Sequence, residues 1–349
     1  MPERVAVLTG GGDCPGLNAV IRAIVRRSLN LYNYEVVGLM KGWRGLLEMD
    51  YEILDREKVS GLLPRGGTIL RTSRTNPFKV EGGVKTIFEN FEKLNLKALI
   101  AIGGEDTLGA ANQLYAKGLK VVGVPKTIDN DLDGTDYTFG YDTAVNIAME
   151  AIDRVHTTAE SHNRVMVVEV MGRHAGWIAL ESGIAGGADV ILIPEKPFEI
   201  EKICNIIKHR HEHGRDFSIV VVAEGASFKA DGQTDGKLIL QDADVDAFGH
   251  VRLGGIGSFL AKEIENRTGF ESRVVILGHI QRGGSPTAFD RVLATRFGIA
   301  AIDLVNKGSF GQMVALRGNK IVNIPISDAV QKLKTVSEEL YQVAEVFFG

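Results

Sequence analysis

Several short apolar runs in this chain end abruptly in glycines and acids, and this constrains its fold more than any other feature. Ala98-Leu-Ile-Ala-Ile102 runs straight into Gly103-Gly104-Glu105-Asp106-Thr107, and Val121-Val-Gly-Val124 runs into Pro125-Lys126-Thr127-Ile128-Asp129-Asn130-Asp131. A continuous β-branched run reads as a parallel strand with both faces covered. The loops that follow such strands lie at the carboxyl edge of the sheet, where open α/β folds take their ligands. Five acids (Glu105, Asp106, Asp129, Asp131, Asp133) and Lys126 gather there. Mg²⁺ binds through one or two carboxylates plus substrate phosphates, so this mixture suits Mg²⁺ and phosphate oxygens. For one loop alone, an acidic surface turn is the plainer reading. Two such loops on adjacent strand ends, with a third glycine loop near the N-terminus, point to phosphoryl transfer.

Strand-like and helix-like segments alternate along the whole chain. Strands are expected at Arg4–Thr9, Glu35–Leu39, Ala98–Ile102 and Lys120–Val124, with helices at Leu17–Leu31, Val84–Leu94 and Leu108–Ala116 between them. The pattern restarts after the acidic loops. Helices are expected at Thr143–Glu160, Trp177–Ala185, Ile200–His213, Gly255–Arg267 and Asp290–Lys307, and strands at Arg164–Val170, Val190–Ile193, Ser218–Ala223 and Val274–Leu277. Strands alternating with helices specify parallel sheets with crossover connections. Lys229–Phe248 is polar and reads as an irregular connection, and the amphipathic spacing of Ser327–Phe348 predicts one terminal helix.

With 349 residues, 44% of them hydrophobic, the chain exceeds the usual single core, so two domains are expected. A net charge of −4 argues against a nucleic-acid partner. No apolar run approaches a membrane span, and the Met-Pro-Glu-Arg start lacks a signal-peptide pattern. Two cysteines, Cys14 and Cys204, make no disulfide framework and suit a reducing cytoplasm.

Three further loops carry candidate chemistry. Gly10-Gly11-Gly12-Asp13-Cys14-Pro15-Gly16 precedes a helix, an arrangement that lets backbone N–H groups approach a phosphate, or simply makes a tight turn. It lacks both the dinucleotide fingerprint and the Gly-Lys-Ser/Thr ending of the nucleotide P-loop. Arg65-Gly66-Gly67-Thr68 leads into Arg71, Arg74 and Lys79, which suit an anion or a solvated basic loop equally. Arg164, Arg173, Arg273 and Arg282 stand beside strand ends, and arginine favours bidentate phosphate recognition.

Taken together, Leu8–Asn18, Pro125–Asp131, Glu169–Arg173 and Gly278–Pro286 resemble the motifs of the 6-phosphofructokinases, over nearly the whole chain. The resemblance implies two Rossmann-like, three-layer α/β/α domains with mostly parallel sheets and an active site in the cleft between them. Residues 1–138 with 254–304 would form the larger, phosphoryl-donor domain; 139–253 with 305–349 would form the smaller, fructose 6-phosphate domain. It implies Asp129 as general base toward the sugar 1-hydroxyl, Thr127 and Arg173 at the transferred phosphoryl, and Glu105 as the Mg²⁺ ligand. Ile128, Met171, Gly172 and Glu224 would meet the sugar, and Arg164, Arg273, His279, Ile280, Gln281 and Arg282 would line the sugar-phosphate pocket. Arg164 and Arg273 would reach in from another copy of the chain, in a homo-oligomer expected to be a homotetramer. Gly11, Gly12, Arg74, Gly104, Asp106, Thr107 and Lys126 would hold the donor.

The donor is read from two of these positions. ATP-dependent relatives usually carry glycine at the positions matching Asp106 and Lys126. A carboxylate at 106 repels a nucleotide's α-phosphate, and Lys126 meets a short inorganic donor, so the pair resembles the pyrophosphate-dependent branch. The alternatives are an ATP-dependent enzyme, a non-catalytic sugar-phosphate sensor and a dinucleotide oxidoreductase; the last is disfavoured by the broken fingerprint.

Overall fold

The computed structural model describes residues 2–229, 236–238, 240–245 and 251–349. Two sheets organise them. The first has seven strands in the order Lys320–Pro325, Gln312–Arg317, Val121–Pro125, Leu96–Gly103, Arg4–Thr9, Glu35–Leu39, Tyr51–Leu54. Its inner pairs are parallel, and the strand at each edge pairs antiparallel. The second sheet has four parallel strands, Ser272–Ile276, Val165–Val170, Ser218–Ala223 and Val190–Leu192.

Strand alternation divides the core into layers. Val5, Val7, Ile100, Ile102, Val122 and Val124 pack on one face of the first sheet with helices Leu17–Arg27 and Ala288–Lys307. Ala6, Leu8, Leu99, Ala101 and Val121 pack on the other, with Gly83–Lys93 and Glu105–Ala116. The first of these layers continues through Ile128, Phe139, Tyr141 and Ala144 into Met166, Val168, Ile219 and Val221 of the second sheet. One apolar core therefore joins the two halves below the cleft, while Val165, Val167, Val220 and Val222 face a separate outer layer.

The expected strands and helices are present within a few residues of their ends. Three findings differ. First, sheet pairing departs from the expected division. Ser272–Ile276 pairs with Val165–Val170 in the second sheet, and Gln312–Arg317 pairs with Val121–Pro125 in the first. The chain crosses between halves along 126–140, 277–287 and 331–337. Second, the terminal amphipathic segment is two short helices, Ile326–Val330 and Glu338–Glu345. The residues between them pair with the acidic loop instead (Leu132 with Leu333), and Ser337 accepts a hydrogen bond from Leu340 N to start the second helix. Third, the polar stretch 229–248 lies partly outside the described residues. Its described parts include short antiparallel pairs, Phe228–Lys229 with Gly236–Lys237 and Leu240–Val245 with Val251–Leu253.

Candidate active site

Parallel register places Thr9 opposite Ile102 and Gly103 opposite Pro125, so three loops leave the first sheet side by side. Thr107 sits where these loops converge. A Cβ on Gly10 or Gly103 would lie 2.4 or 2.3 Å from its side chain, so both positions need glycine. Asn18 pins the second glycine loop against the first: its amide donates to the Arg65 and Gly66 carbonyls, and its oxygen accepts from Ile69 N. The Thr72 hydroxyl donates to the Gly11 carbonyl and the Thr9 hydroxyl to the Arg71 carbonyl. These ties carry Arg74 to the cleft wall.

The acidic turn is set by Asn130, buried at φ 52°. Asparagine tolerates this left-handed conformation. Its side-chain oxygen accepts from Thr138 N, and the Thr138 hydroxyl donates to the Thr127 carbonyl at 2.7 Å. Asp129 and Asp131 flank Asn130 and both line the cleft. Burial pushes Asp129 up to about 7, with the neighbouring Asp131 charge adding to it and Arg282, Lys126 and Arg173 opposing it. Its Oδ1 is buried without a hydrogen-bond partner among the described residues. Asp131 is raised chiefly by burial and also by the like charge of Glu105, while the Thr127 hydroxyl bond opposes the rise. Lys126 is buried, which lowers its pKa, and its ammonium donates to the Gly12 carbonyl.

The opposite wall comes from the second sheet. Gly172 adopts φ 136°, and a Cβ on Gly225 would lie 2.0 Å from the Arg173 carbonyl, so these two loops meet backbone to backbone. Glu224, at the end of Ser218–Ala223, is pushed up to about 7, first by burial and then by the Asp129 charge. Arg282 comes from the 277–287 crossing; its guanidinium covers Gly12, where a Cβ would lie 2.0 Å from Nη1. Two carboxyls with raised pKa values thus face three basic side chains at the carboxyl ends of the parallel strands of the two sheets.

The phosphofructokinase family model matches residues 4–305. The chain belongs to the phosphofructokinase family. It is 60% identical over 347 residues to a Streptomyces coelicolor protein named pyrophosphate–fructose 6-phosphate 1-phosphotransferase, covering 99% of this chain and 100% of that one. It is 53% identical over 347 residues, with the same coverage, to a Mycobacterium tuberculosis ATP-dependent 6-phosphofructokinase. Among solved structures, the Marinobacter aquaeolei pyrophosphate-dependent phosphofructokinase shares the fold at TM-score 0.82 and 22% identity, over 97% of this chain and 86% of that one.

Of the residues expected to form a phosphofructokinase site, Gly11, Gly12, Arg74, Gly104, Glu105, Asp106, Thr107, Lys126, Thr127, Ile128, Asp129, Arg173 and Arg282 line one cleft. Gln281 does not fit its expected contact with sugar. It is fully buried, accepts from Met171 N and donates to the Gly278 carbonyl, so it holds the Met171 loop instead. His279 and Ile280 are exposed and lie outside this lining. Arg164 and Arg273 stand at the amino ends of their strands, away from Arg173 and Glu224 at the carboxyl ends; Glu271 pairs with both, at 2.8 and 2.5 Å. Arg164 holds Glu271 below the usual carboxylate range. Asp13 and His174 line the cleft without having been assigned a role, although each is next to an assigned residue. Asp290 carried no sequence signal. It is a buried carboxylate pushed up to about 6 by burial, and it accepts from Thr143 N and the Thr143 hydroxyl at the start of helix Tyr141–His162.

Proposed function

We propose that this phosphofructokinase transfers a phosphoryl group from pyrophosphate to the 1-hydroxyl of fructose 6-phosphate, giving fructose 1,6-bisphosphate and phosphate. The observation that carries the reading is the buried Asp129 carboxyl. Burial pushes its pKa up to about 7, its Oδ1 has no hydrogen-bond partner among the described residues, and it lies within the electrostatic reach of Lys126, Arg173 and Arg282. A base poised near the working pH takes a proton most effectively. As the C1 oxygen bonds to phosphorus, its proton passes to Asp129 and the bridging P–O bond of the donor breaks, releasing phosphate. Arg173 and Arg282 face the developing charge, which is where most of the catalysis of phosphoryl transfer resides. Glu224, also near 7, accepts hydrogen bonds from the sugar hydroxyls.

The residues fit Mg²⁺. Glu105 lines the cleft at the first turn of its helix, beside Asp131, whose pKa its charge raises. Glu105 would hold the ion, which supplies charge neutralisation on the donor phosphates. The donor assignment is supported by the presence of both Asp106 and Lys126 in the cleft lining and by the naming of the 60% relatives. The far-end position of Arg164 and Arg273 supports a site completed by another copy of the chain; the reading includes a homotetramer in the cytoplasm.

The test is steady-state turnover of fructose 6-phosphate with Mg²⁺ and either pyrophosphate or ATP. Pyrophosphate is expected to support turnover and ATP to be poor. Comparable kcat/KM for the two refutes the donor assignment. The double change Asp106→Gly with Lys126→Gly is expected to raise ATP use relative to pyrophosphate.

A further inference from the structure

The segment 333–336 passes from one half of the molecule to the other and bonds to both. On the donor side, Lys334 N donates to the Asp131 carbonyl at 2.8 Å, and Leu333 pairs with Leu132. The Lys334 ammonium donates to the Thr135 carbonyl at 3.0 Å and the Asp136 carbonyl at 2.6 Å. All of these acceptors lie on the turn that presents Asp129. On the sugar side, the Lys334 carbonyl accepts from Trp177 Nε1 at 2.9 Å, and its ammonium lies 5.1 Å from that ring. Val336 N donates to Glu195 Oε1 at 2.8 Å, and the same carboxylate accepts from Gly176 N at 3.0 Å. Gly176 and Trp177 close the loop that carries Arg173.

We propose that Leu333–Val336 is a brace between the two halves and that Lys334 is a positioning residue for phosphoryl transfer, fixing the segment that carries Asp129 relative to the Arg173 loop. The inference rests on the function proposed above and adds a residue that touches no substrate. A lysine needed only for local stability would bond within one half. Lys334 instead spends its N–H, its carbonyl and its ammonium on the two halves at once, and each bond ends within a few residues of a group that must be aligned in the transition state. Misplacing reacting groups by about an ångström costs on the order of a hundredfold in rate.

The experiment uses three variants of the full chain. Lys334→Met keeps the apolar stem and removes the ammonium. Lys334→Arg restores a donor. Trp177→Phe keeps an aromatic ring, smaller than the indole, and removes the N–H. Lys334→Met is expected to lower kcat by about ten- to a hundredfold, with KM for fructose 6-phosphate and pyrophosphate within threefold. Lys334→Arg is expected to recover most of that loss. Trp177→Phe should cost less on the Lys334→Met background than on wild type, because losing the ammonium bonds to Thr135 and Asp136 already loosens the donor-side end of the same brace. Hydrogen exchange of Lys334→Met should rise in 126–138 and 172–177 together. Unchanged kcat, a change confined to KM, additive losses, or faster exchange in 333–336 alone would each overturn the brace. A wild-type protein idle with either donor removes the functional reading but not the brace, which is then decided by the exchange result.

Discussion

Replacing Asp129 by Asn separates the catalytic use of this carboxyl from its structural cost. Raising its pKa from 3.8 to about 7 corresponds to about 4 kcal/mol disfavouring the ionised form. Water in the open cleft screens part of this, leaving roughly 1–2 kcal/mol as the burden on the folded protein at pH 8. The sign follows from proton counts. An acid with a raised folded-state pKa binds more protons folded than unfolded between the two values, so its favourable contribution is present below about pH 4 and is lost as pH rises through 7. Asp129→Asn should therefore raise Tm at pH 8 by about 1–3 °C and leave it nearly unchanged at pH 4. In the same protein kcat should fall by about 10²–10⁴, and the limb of the pH–rate profile near 7 should disappear. Differential scanning fluorimetry across pH, paired with turnover assays, reads both effects. A variant less stable than wild type at pH 8, or one within threefold of its kcat, refutes the assignment of Asp129 as a strained, neutral-pH base.

Two other expectations concern the cleft and the assembly. Gly12→Ala places a methyl 2.0 Å from Arg282 Nη1, so kcat should fall by about tenfold or more with Tm within 2 °C, because only the flexible end of Arg282 has to move. Full activity would show that the guanidinium is not needed there. Mixing inactive Arg164→Ala with inactive Asp129→Asn should restore part of the activity if neighbouring copies complete each site; no recovery despite proven subunit exchange would place the whole site in one chain.

Much of the site was legible because its residues directly follow apolar strand runs, and the parallel register then brings them together. Lys126, Thr127, Asp129 and Arg173 needed only that rule. The hairpin Gln312–Arg317 with Lys320–Pro325 had a signal, a Gly318-Asn319 turn between two apolar runs, but its place beside Val121–Pro125 is a long-range choice that no local pattern contains. The terminal helix failed for a related reason. Val330, Leu333, Val336 and Leu340 have helical spacing, yet Lys334 gains more by bonding the acidic turn than by continuing the helix. The division into halves was misread at 254 and 305 because the true crossings look like active-site loops, with no change of composition to mark a boundary. Gln281 shows the limit of reading a role from a motif: its place in Gly278–Ser285 says that it matters, while only its burial says that it serves Met171.

The three crossings at 126–140, 277–287 and 331–337 have a consequence for modularity. The first carries Lys126, Thr127 and Asp129, the second Arg282, and the third Lys334. Neither half is a continuous length of chain, and every seam between them runs through reactive or aligning groups. A swap of one half between related enzymes must therefore cut through the candidate site or through its proposed brace. Substrate preference in such a scaffold changes by point substitution within a shared frame rather than by trading whole domains.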